Sequence, residues 1–331
     1  MKKILVFGIR DEEIPLINKW ADRNEVQVDC TYYNLTNETV EMVDGYDGIS
    51  ISQVAELDPN LYNRLAEYGI KQIAQRSAGY EMHDLKEASD NGLIITNVPS
   101  YSPASIAEFA VMQALNLIRR TPLTQQKVAE NDFRWQPEIR GRVINELTVA
   151  VIGVGRIGSR VASIYKGFGA KVVAYDIEPR KEFASLVEYQ DSLIQAIELA
   201  DIVTIHMPAT ELNYHQFDLE LFKHFKAEAV LVNTARGPIV HTTDLFAALD
   251  QELVSAAALD VYENEAPFVP NDMRGQFLAD PVYQQLISHP QIIYTPHVAY
   301  YTDTAVEQLI YIPLDSTLDI IQTGTTEHRL N

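Results

Sequence analysis

Val151-Ile152-Gly153-Val154-Gly155-Arg156-Ile157-Gly158, followed at a distance by Asp176, decides the reading of this chain. Apolar Leu147 to Ile152 predicts a buried parallel strand. Three glycines follow at G-x-G-x-x-G spacing, then a helix-compatible stretch to Phe168 and a second strand, Lys171–Tyr175, that Asp176 ends. The glycines have separate tasks: Gly153 for the tight turn, Gly155 for close approach of backbone to a pyrophosphate, Gly158 for close packing of helix on strand. The N–H groups around Arg156 and Ile157, where the helix begins, then face the phosphates with the positive end of the helix dipole. Asp176 accepts from ribose hydroxyls and repels a 2′-phosphate, so the expected cofactor is NAD, used as NADH, in preference to NADP.

Outward from this unit the chain reads as α/β, with two doubly wound parallel-sheet domains. Before it, candidate strands Lys3–Phe7, Gly48–Ile51, Gln72–Arg76 and Leu93–Thr96 alternate with candidate helices Glu12–Arg23, Asn60–Glu67 and Met82–Asn91. Pro99-Ser-Tyr-Ser-Pro103 breaks the chain, and Ser102 and Pro103 suit the start of a long helix. After the glycine motif come strands Asp201–Ile205, Ala229–Val232, Ala256–Leu259 and Gln291–Thr295, which complete the six of a full dinucleotide domain. A final helix, Thr304 to Ile321, has the length to return to the first domain. The expected division is a discontinuous flavodoxin-like substrate domain, 1–100 with 300–331, and a Rossmann NAD-binding domain, 101–299.

Composition narrows the class. A formal charge of −20 disfavours nucleic acid and anionic membrane surfaces, which need clustered Lys and Arg. One cysteine, Cys30, precludes an internal disulfide or a zinc cluster, and no metal site is expected. Met1 to Ile9 is too short for a signal sequence and runs into Arg10-Asp-Glu-Glu13, so it reads as a first strand. With no apolar segment of spanning length, the expected location is the cytoplasm.

Candidate chemistry lies just past the strands of the second domain, where open α/β sheets bind ligands. Asn233-Thr-Ala-Arg236-Gly237, Asp260-Val-Tyr-Glu-Asn-Glu265 and Pro296-His297 follow three successive strands. An arginine fork binds a carboxylate and polarises a neighbouring carbonyl. A histidine supplies a proton, and a glutamate beside it favours the donor form. That set suits reduction of a small 2-oxo acid. His206, in Ile205-His-Met-Pro208, reads as cofactor-edge structure together with Pro208 and Thr234. The remaining histidines, His83, His215, His224, His241, His289 and His328, read as surface residues. Tyr300, Tyr301 and Tyr311 read equally as core or pocket wall.

The chain resembles the D-2-hydroxyacid dehydrogenase family over nearly its whole length, most closely bacterial D-lactate and D-2-hydroxyisocaproate dehydrogenases. The likeness rests on Ile94 to Pro103, Val151 to Gly158, Asn233 to Pro238, Leu259 to Glu265 and Thr295 to His297. It implies Arg236 as substrate binder, His297 as acid/base with Glu265 as its partner, and Asp260 near the nicotinamide amide. It also implies backbone N–H groups of Ala78 and Gly79 at the substrate carboxylate, with Ser52, Tyr101 and Tyr300 lining the substrate side. A D-product follows from the likeness alone. So does a homodimer through the cofactor domain, with Phe133-Arg-Trp-Gln-Pro137 resembling its arm. Three departures bear on side-chain preference: Ser52 where lactate-preferring relatives carry a bulky aromatic, Arg76-Ser-Ala-Gly in place of Arg-Asn-Val-Gly, and Phe109 in place of a common histidine. An NAD-responsive corepressor-like protein and a formate- or phosphoglycerate-type dehydrogenase are the alternative readings of the same fold.

Overall fold

The computed structural model describes residues 1–53 and 55–331, which divide into two compact units, Met1–Ser102 with Tyr301–Asn331, and Pro103–Tyr300. The first unit contains β1 (Lys3–Val6), β2 (Gln27–Cys30), β3 (Gly48–Ile51), β4 (Gln72–Gln75) and β5 (Ile94–Thr96). All pair in parallel in the order β2-β1-β3-β4-β5, the flavodoxin-like order. Alternate residues serve opposite faces. Leu5, Phe7, Ile49, Ile51 and Ile73 pack on one side, while Ile4 and Val6 meet Trp20, Ile310 and Leu314 on the other. Trp20 Nε1 also donates to Asp315 of the last helix, Asp303–Thr323, at 2.7 Å. The C-terminal tail then covers the β5 edge: Leu330 N–H donates to the Ile95 carbonyl and Asn331 Oδ1 accepts from the Ile95 N–H.

Two details depart from the sequence reading. The strand Gln27–Cys30 is added, because an edge strand with one large apolar residue, Val28, gives no alternation to read. The helix expected from Met82 starts at Leu85, because Asp84 caps it by accepting from the Glu87 N–H at 2.9 Å.

The second unit holds β6 (Thr148–Ile152), β7 (Lys171–Tyr175), β8 (Glu188–Tyr189), β9 (Ile202–Ile205), β10 (Val230–Asn233), β11 (Ala256–Leu259) and β12 (Ile292–Tyr294). Their order is β12-β11-β10-β9-β6-β7-β8, every pair parallel. The doubly wound fold expected from sequence is borne out, with one strand more than the six anticipated: the two-residue edge strand β8. Strands β9, β10 and β11 are buried at every position, as a sheet covered on both faces demands. The small side chains Ala256 and Ala258 of β11 share a core with Ala107, Ala110, Val111 and Ala114 of helix Pro103–Ile118, while Ala257 faces the other side of the sheet. Strand order reverses between β6 and β9, which opens the crevice where such sheets bind ligands. Among the described residues no helix is long and apolar enough to cross a membrane.

Candidate active site

The glycine motif sits at that crevice. Gly153 has φ +91°, and a Cβ there would stand 2.9 Å from backbone atoms of His206 and Met207, just past β9. A Cβ on Gly158 would stand 2.0 Å from the Gly153 carbonyl oxygen, so the helix Gly158–Gly167 closes tightly onto the turn. Gly155 faces open space instead. One glycine makes the turn, one admits the helix, and the one between leaves a bare backbone face for a phosphate group. Arg156 is exposed beside it and Ile157 stands as the helix N-cap. Asp176 Oδ2 accepts from the Val154 N–H at 2.6 Å and Oδ1 from the Glu178 N–H at 2.9 Å, tying the end of β7 to the glycine turn. Thr234 adds a buried hydroxyl with no hydrogen-bond partner among the described residues. An open glycine cradle, a carboxylate at its far side and an orphaned hydroxyl fit a dinucleotide.

His206 pairs through Nε2 with Thr204 Oγ1 at 2.8 Å, and burial pushes the imidazole down to about 3. It is therefore neutral near pH 7 and holds no proton to give. Pro208 follows it, its carbonyl accepting from Asn213 Nδ2 at 2.8 Å.

The chemistry gathers past β10, β11 and β12, which are neighbours in the sheet. His297 Nδ1 lies 2.6 Å from Glu265 Oε1. A carboxylate only accepts, so Nδ1 carries the hydrogen and Nε2 is left to take or give a proton. Glu265 Oε2 accepts from the Tyr262 N–H at 3.0 Å, which fixes the carboxylate in turn. The Tyr300 ring stands edge-on to His297, with centroids 6.3 Å apart.

His297 has φ +56°, a left-handed backbone that a residue with a side chain adopts at a cost of roughly 1–3 kcal/mol. Asp260 holds it there. Its carbonyl accepts the His297 N–H at 2.8 Å, Oδ1 accepts from the Thr295 hydroxyl at 2.5 Å and the Val298 N–H at 3.0 Å, and Oδ2 accepts from the Ala299 N–H at 2.8 Å. Burial raises the Asp260 carboxyl above its ordinary range, while the Thr295, Ala299 and Val298 bonds oppose the rise. The Asp260 carboxylate thus clamps the loop that presents His297.

Arg236 is half-buried after β10, with Nη1 donating to the Ala235 carbonyl at 2.8 Å. Asn233 sets the turn before it: Oδ1 accepts from the Ala235 N–H at 3.0 Å and Nδ2 donates to the Arg236 carbonyl at 2.9 Å.

In the first unit, Ser52 Oγ donates to the Gly8 carbonyl at 3.0 Å. Ala78 and Gly79 have their carbonyls engaged, by Asn97 Nδ2 at 2.7 Å and by Ser77 Oγ at 2.6 Å. Neither of their N–H groups donates among the described residues. Tyr101 is half-buried in the segment before Pro103.

Some functional geometry escaped the sequence reading. His83 was expected at the surface but is buried, with Nε2 3.0 Å from Gln75 Oε1, and burial pushes it down to about 4. His215 and His241, also expected at the surface, are partly buried, with ring centroids 4.4 Å apart. Each is bonded to a carboxylate, His215 to Glu263 at 2.6 Å and His241 to Asp244 at 2.8 Å. No spacing rule marks the His215–Glu263 pair, whose members lie on separate loops, whereas His241 and Asp244 stand three residues apart at the start of one helix.

Comparison with known proteins decides the family. The D-isomer specific 2-hydroxyacid dehydrogenase NAD binding domain matches residues 111–299. The chain belongs to the D-2-hydroxyacid dehydrogenase family. It is 49% identical to a D-lactate dehydrogenase of Streptococcus agalactiae, over 99% of this chain and all of that one. Among solved structures it is similar to a D-2-hydroxyisocaproate dehydrogenase, with TM-score 0.93 and 31% identity over 99% of both chains. It is similar too to the NAD complex of the D-isomer specific enzyme of Lactobacillus delbrueckii ssp. bulgaricus, with TM-score 0.89 and 33% identity over the whole of both chains. This family member is an NAD-dependent oxidoreductase, and neither alternative reading of the fold is favoured.

Proposed function

We propose that the protein is an NAD-dependent D-lactate dehydrogenase-like enzyme that reduces pyruvate, and larger 2-oxo acids such as 2-oxoisocaproate or phenylpyruvate, to D-2-hydroxy acids. The observation that carries this reading is the His297–Glu265 pair at 2.6 Å, past β12 and β11, with β11 paired to the β10 strand that leads to Arg236. The glycine turn, Asp176, Thr234, His206 and Pro208 hold the dinucleotide. Bound NADH supplies a hydride to the carbonyl carbon. Arg236 binds the substrate carboxylate through its fork and polarises the carbonyl, and the Ala78 and Gly79 N–H groups are carboxylate donors by the family likeness. His297 gives the Nε2 proton to the carbonyl oxygen, and Glu265 stabilises the imidazolium before transfer. In the oxidative direction His297 takes the hydroxyl proton back.

We further infer a cytoplasmic homodimer that pairs through the cofactor domain. Trp135 is 98% exposed and Phe133 69% exposed in the segment that resembles the dimer arm. Lys127 braces that segment through Gln136 at 2.5 Å and Glu138 at 3.0 Å. Light scattering on the natural protein and on Trp135→Ala tests the dimer; a monomeric natural protein sinks it.

A panel of 2-oxo acids with NADH and NADPH, followed by absorbance, tests the activity and the cofactor. NADH should be strongly preferred, and Asp176→Ala should relax the preference. Equal use of NADPH by the natural enzyme would overturn the role given to Asp176. No turnover with any 2-oxo acid would overturn the enzyme reading.

A further inference from the structure

Two glutamates of the segment Asp260–Glu265 point to different neighbours. Glu265 meets His297. Glu263, with 14% of its side chain exposed, bridges two other elements. Its Oε1 accepts from the backbone N–H of Thr242, the first residue of helix Thr242–Asp250, at 3.1 Å. Its Oε2 accepts from His215 Nε2 at 2.6 Å. Those two elements enclose the turn that starts at Arg236. His215 N–H donates to the Pro238 carbonyl at 2.8 Å, Phe217 N–H to the Ile239 carbonyl at 3.0 Å, and His241 N–H to the Phe217 carbonyl at 3.1 Å. The turn is also pressed against the backbone of Glu263. A Cβ on Gly237 would stand 2.2 Å from the Tyr262 carbonyl carbon and 2.4 Å from the Glu263 nitrogen. Asn233 fixes Arg236 from the strand side, and the Glu263 contacts fix the chain beyond it, toward Thr242.

We propose that Glu263 is a positioning residue for substrate binding: with His215 it sets the register of the Arg236 turn, as Glu265 orients His297. One short loop thereby aligns both the anchor and the proton donor. His215 carries φ +51°, so the bond to Glu263 also holds a strained residue in place. Tyr214 stacks on His215 at 3.9 Å and His241 lies at 4.4 Å with Asp244 behind it, which limits the rotation of the imidazole.

The inference rests on Arg236 as the carboxylate anchor, and kinetics on five variants separate the two claims. Glu263→Ala removes both bonds and should raise KM for the oxo acid about tenfold with kcat reduced far less, the effect of loosening one bonded support. The dissociation constant for NADH and the pH profile of kcat should not move. Glu263→Gln keeps an acceptor for the Thr242 N–H and should recover part of the loss. His215→Ala should reproduce it in part, and carries the test if Glu263→Ala fails to fold. Because Glu263 acts through Arg236, the double variant Glu263→Ala, Arg236→Lys should raise KM no further than Arg236→Lys alone. A fully additive double variant, or a Glu263→Ala enzyme with KM within twofold of the natural one, overturns the positioning role and leaves Arg236 as the anchor. Unchanged KM in Arg236→Lys overturns the anchor itself.

Discussion

Arg76 and Arg236 each follow a parallel strand of a doubly wound sheet, yet they are used in opposite ways. Arg76, past β4, is buried. Nη1 donates to the Phe7 carbonyl at 3.0 Å, Nη2 donates to the Gly8 carbonyl at 2.9 Å and lies 3.7 Å from Glu13. Burial pushes it down to about 10 despite the opposing pull of Glu13, so it stays charged near neutrality. Its fork is spent on joining the loop after β1 to the loop after β4. Arg236, past β10, is half-buried and gives a single bond to the neighbouring Ala235 carbonyl. The same contrast separates the histidines. His83 is buried and neutral, whereas the His297 side chain is 35% exposed and paired with a glutamate. Topology brings chemical groups to the carboxyl edge of a sheet; burial decides whether a group serves the fold or a ligand.

The sharpest break between the two kinds of residue should come at His297. His297→Gln should lower turnover by about 10²–10⁴-fold, the usual worth of a positioned acid. NADH should still bind, since the glycine turn and Asp176 are untouched, and fluorescence titration checks that. Full activity in this variant would remove His297 from the mechanism.

The arginines should separate by which measurement they move. Arg76→Met removes the bonds to the Phe7 and Gly8 carbonyls and leaves Glu13, 2% exposed, paired with Arg10 alone, and should cost about 1–3 kcal/mol of stability. Arg236→Lys keeps the charge, loses the planar fork, and should raise KM for the oxo acid with little change in melting temperature. Denaturant unfolding and steady-state kinetics on both variants decide. If Arg76→Met unfolds no more easily than the natural protein, its bonds to Phe7 and Gly8 are not structural anchors.

This contrast also marks how far the sequence could be read. The glycine spacing and the apolar runs of β6, β9 and β10 identify the second sheet, because a strand covered on both faces must be apolar throughout. Arg236, Glu265 and His297 could be named because each stands directly after a strand, where the fold itself supplies the location. Asp260 stands there too, but spacing does not reveal that Thr295, Val298 and Ala299 would saturate its carboxylate. His83, His215 and Glu263 were missed for the same reason. Their partners lie on other elements of the fold, and a polar residue in a loop looks solvated until its neighbours are known. The edge strands β2 and β8 were lost because an edge need bury only one or two side chains.

A smaller effect tests the buried side of the comparison by titration. The ordinary histidine value is 6.5, and in the folded protein His83 is pushed down to about 4. Above pH 6.5 both folded and unfolded chains hold it neutral. As pH falls from 6.5 toward 4, the unfolded chain takes up a proton that the fold refuses, and stability is lost across that window. The loss approaches about 3 kcal/mol, at roughly 1.4 kcal/mol for each pH unit of the window. His206, pushed down to about 3, adds a loss of the same sign. In His83→Gln the side-chain amide can still donate to Gln75, so the variant should show a flatter dependence of unfolding free energy on pH between 6.5 and 4. An unchanged slope would mean that His83 protonates in the fold.

The smallest expected effect concerns Ser52, at the carboxyl edge of the first sheet. Its hydroxyl donates to the Gly8 carbonyl, the same oxygen that accepts from Arg76 Nη2, so it belongs in part to the structural network. It also stands where lactate-preferring relatives were expected to carry an aromatic wall. If the substrate side chain lies there, as the proposed function has it, a small residue leaves room for a longer one. Each buried methylene then contributes about 0.8 kcal/mol, roughly fourfold in affinity. The natural enzyme should therefore reduce 2-oxoisocaproate or phenylpyruvate at least as efficiently as pyruvate, and Ser52→Tyr should reverse that order. The reversal should come with a modest loss of stability, because the bond to Gly8 goes and the tyrosine must find space beside a glycine whose own Cβ position lies 3.1 Å from Ser52 Oγ. Comparing kcat/KM for the three acids before and after substitution gives the answer. A natural enzyme that favours pyruvate by tenfold or more would show that Ser52 serves only the network around Gly8 and Arg76, and that other side chains, with Tyr80, Tyr101, Tyr300 and Tyr301 the first to substitute, close the substrate side.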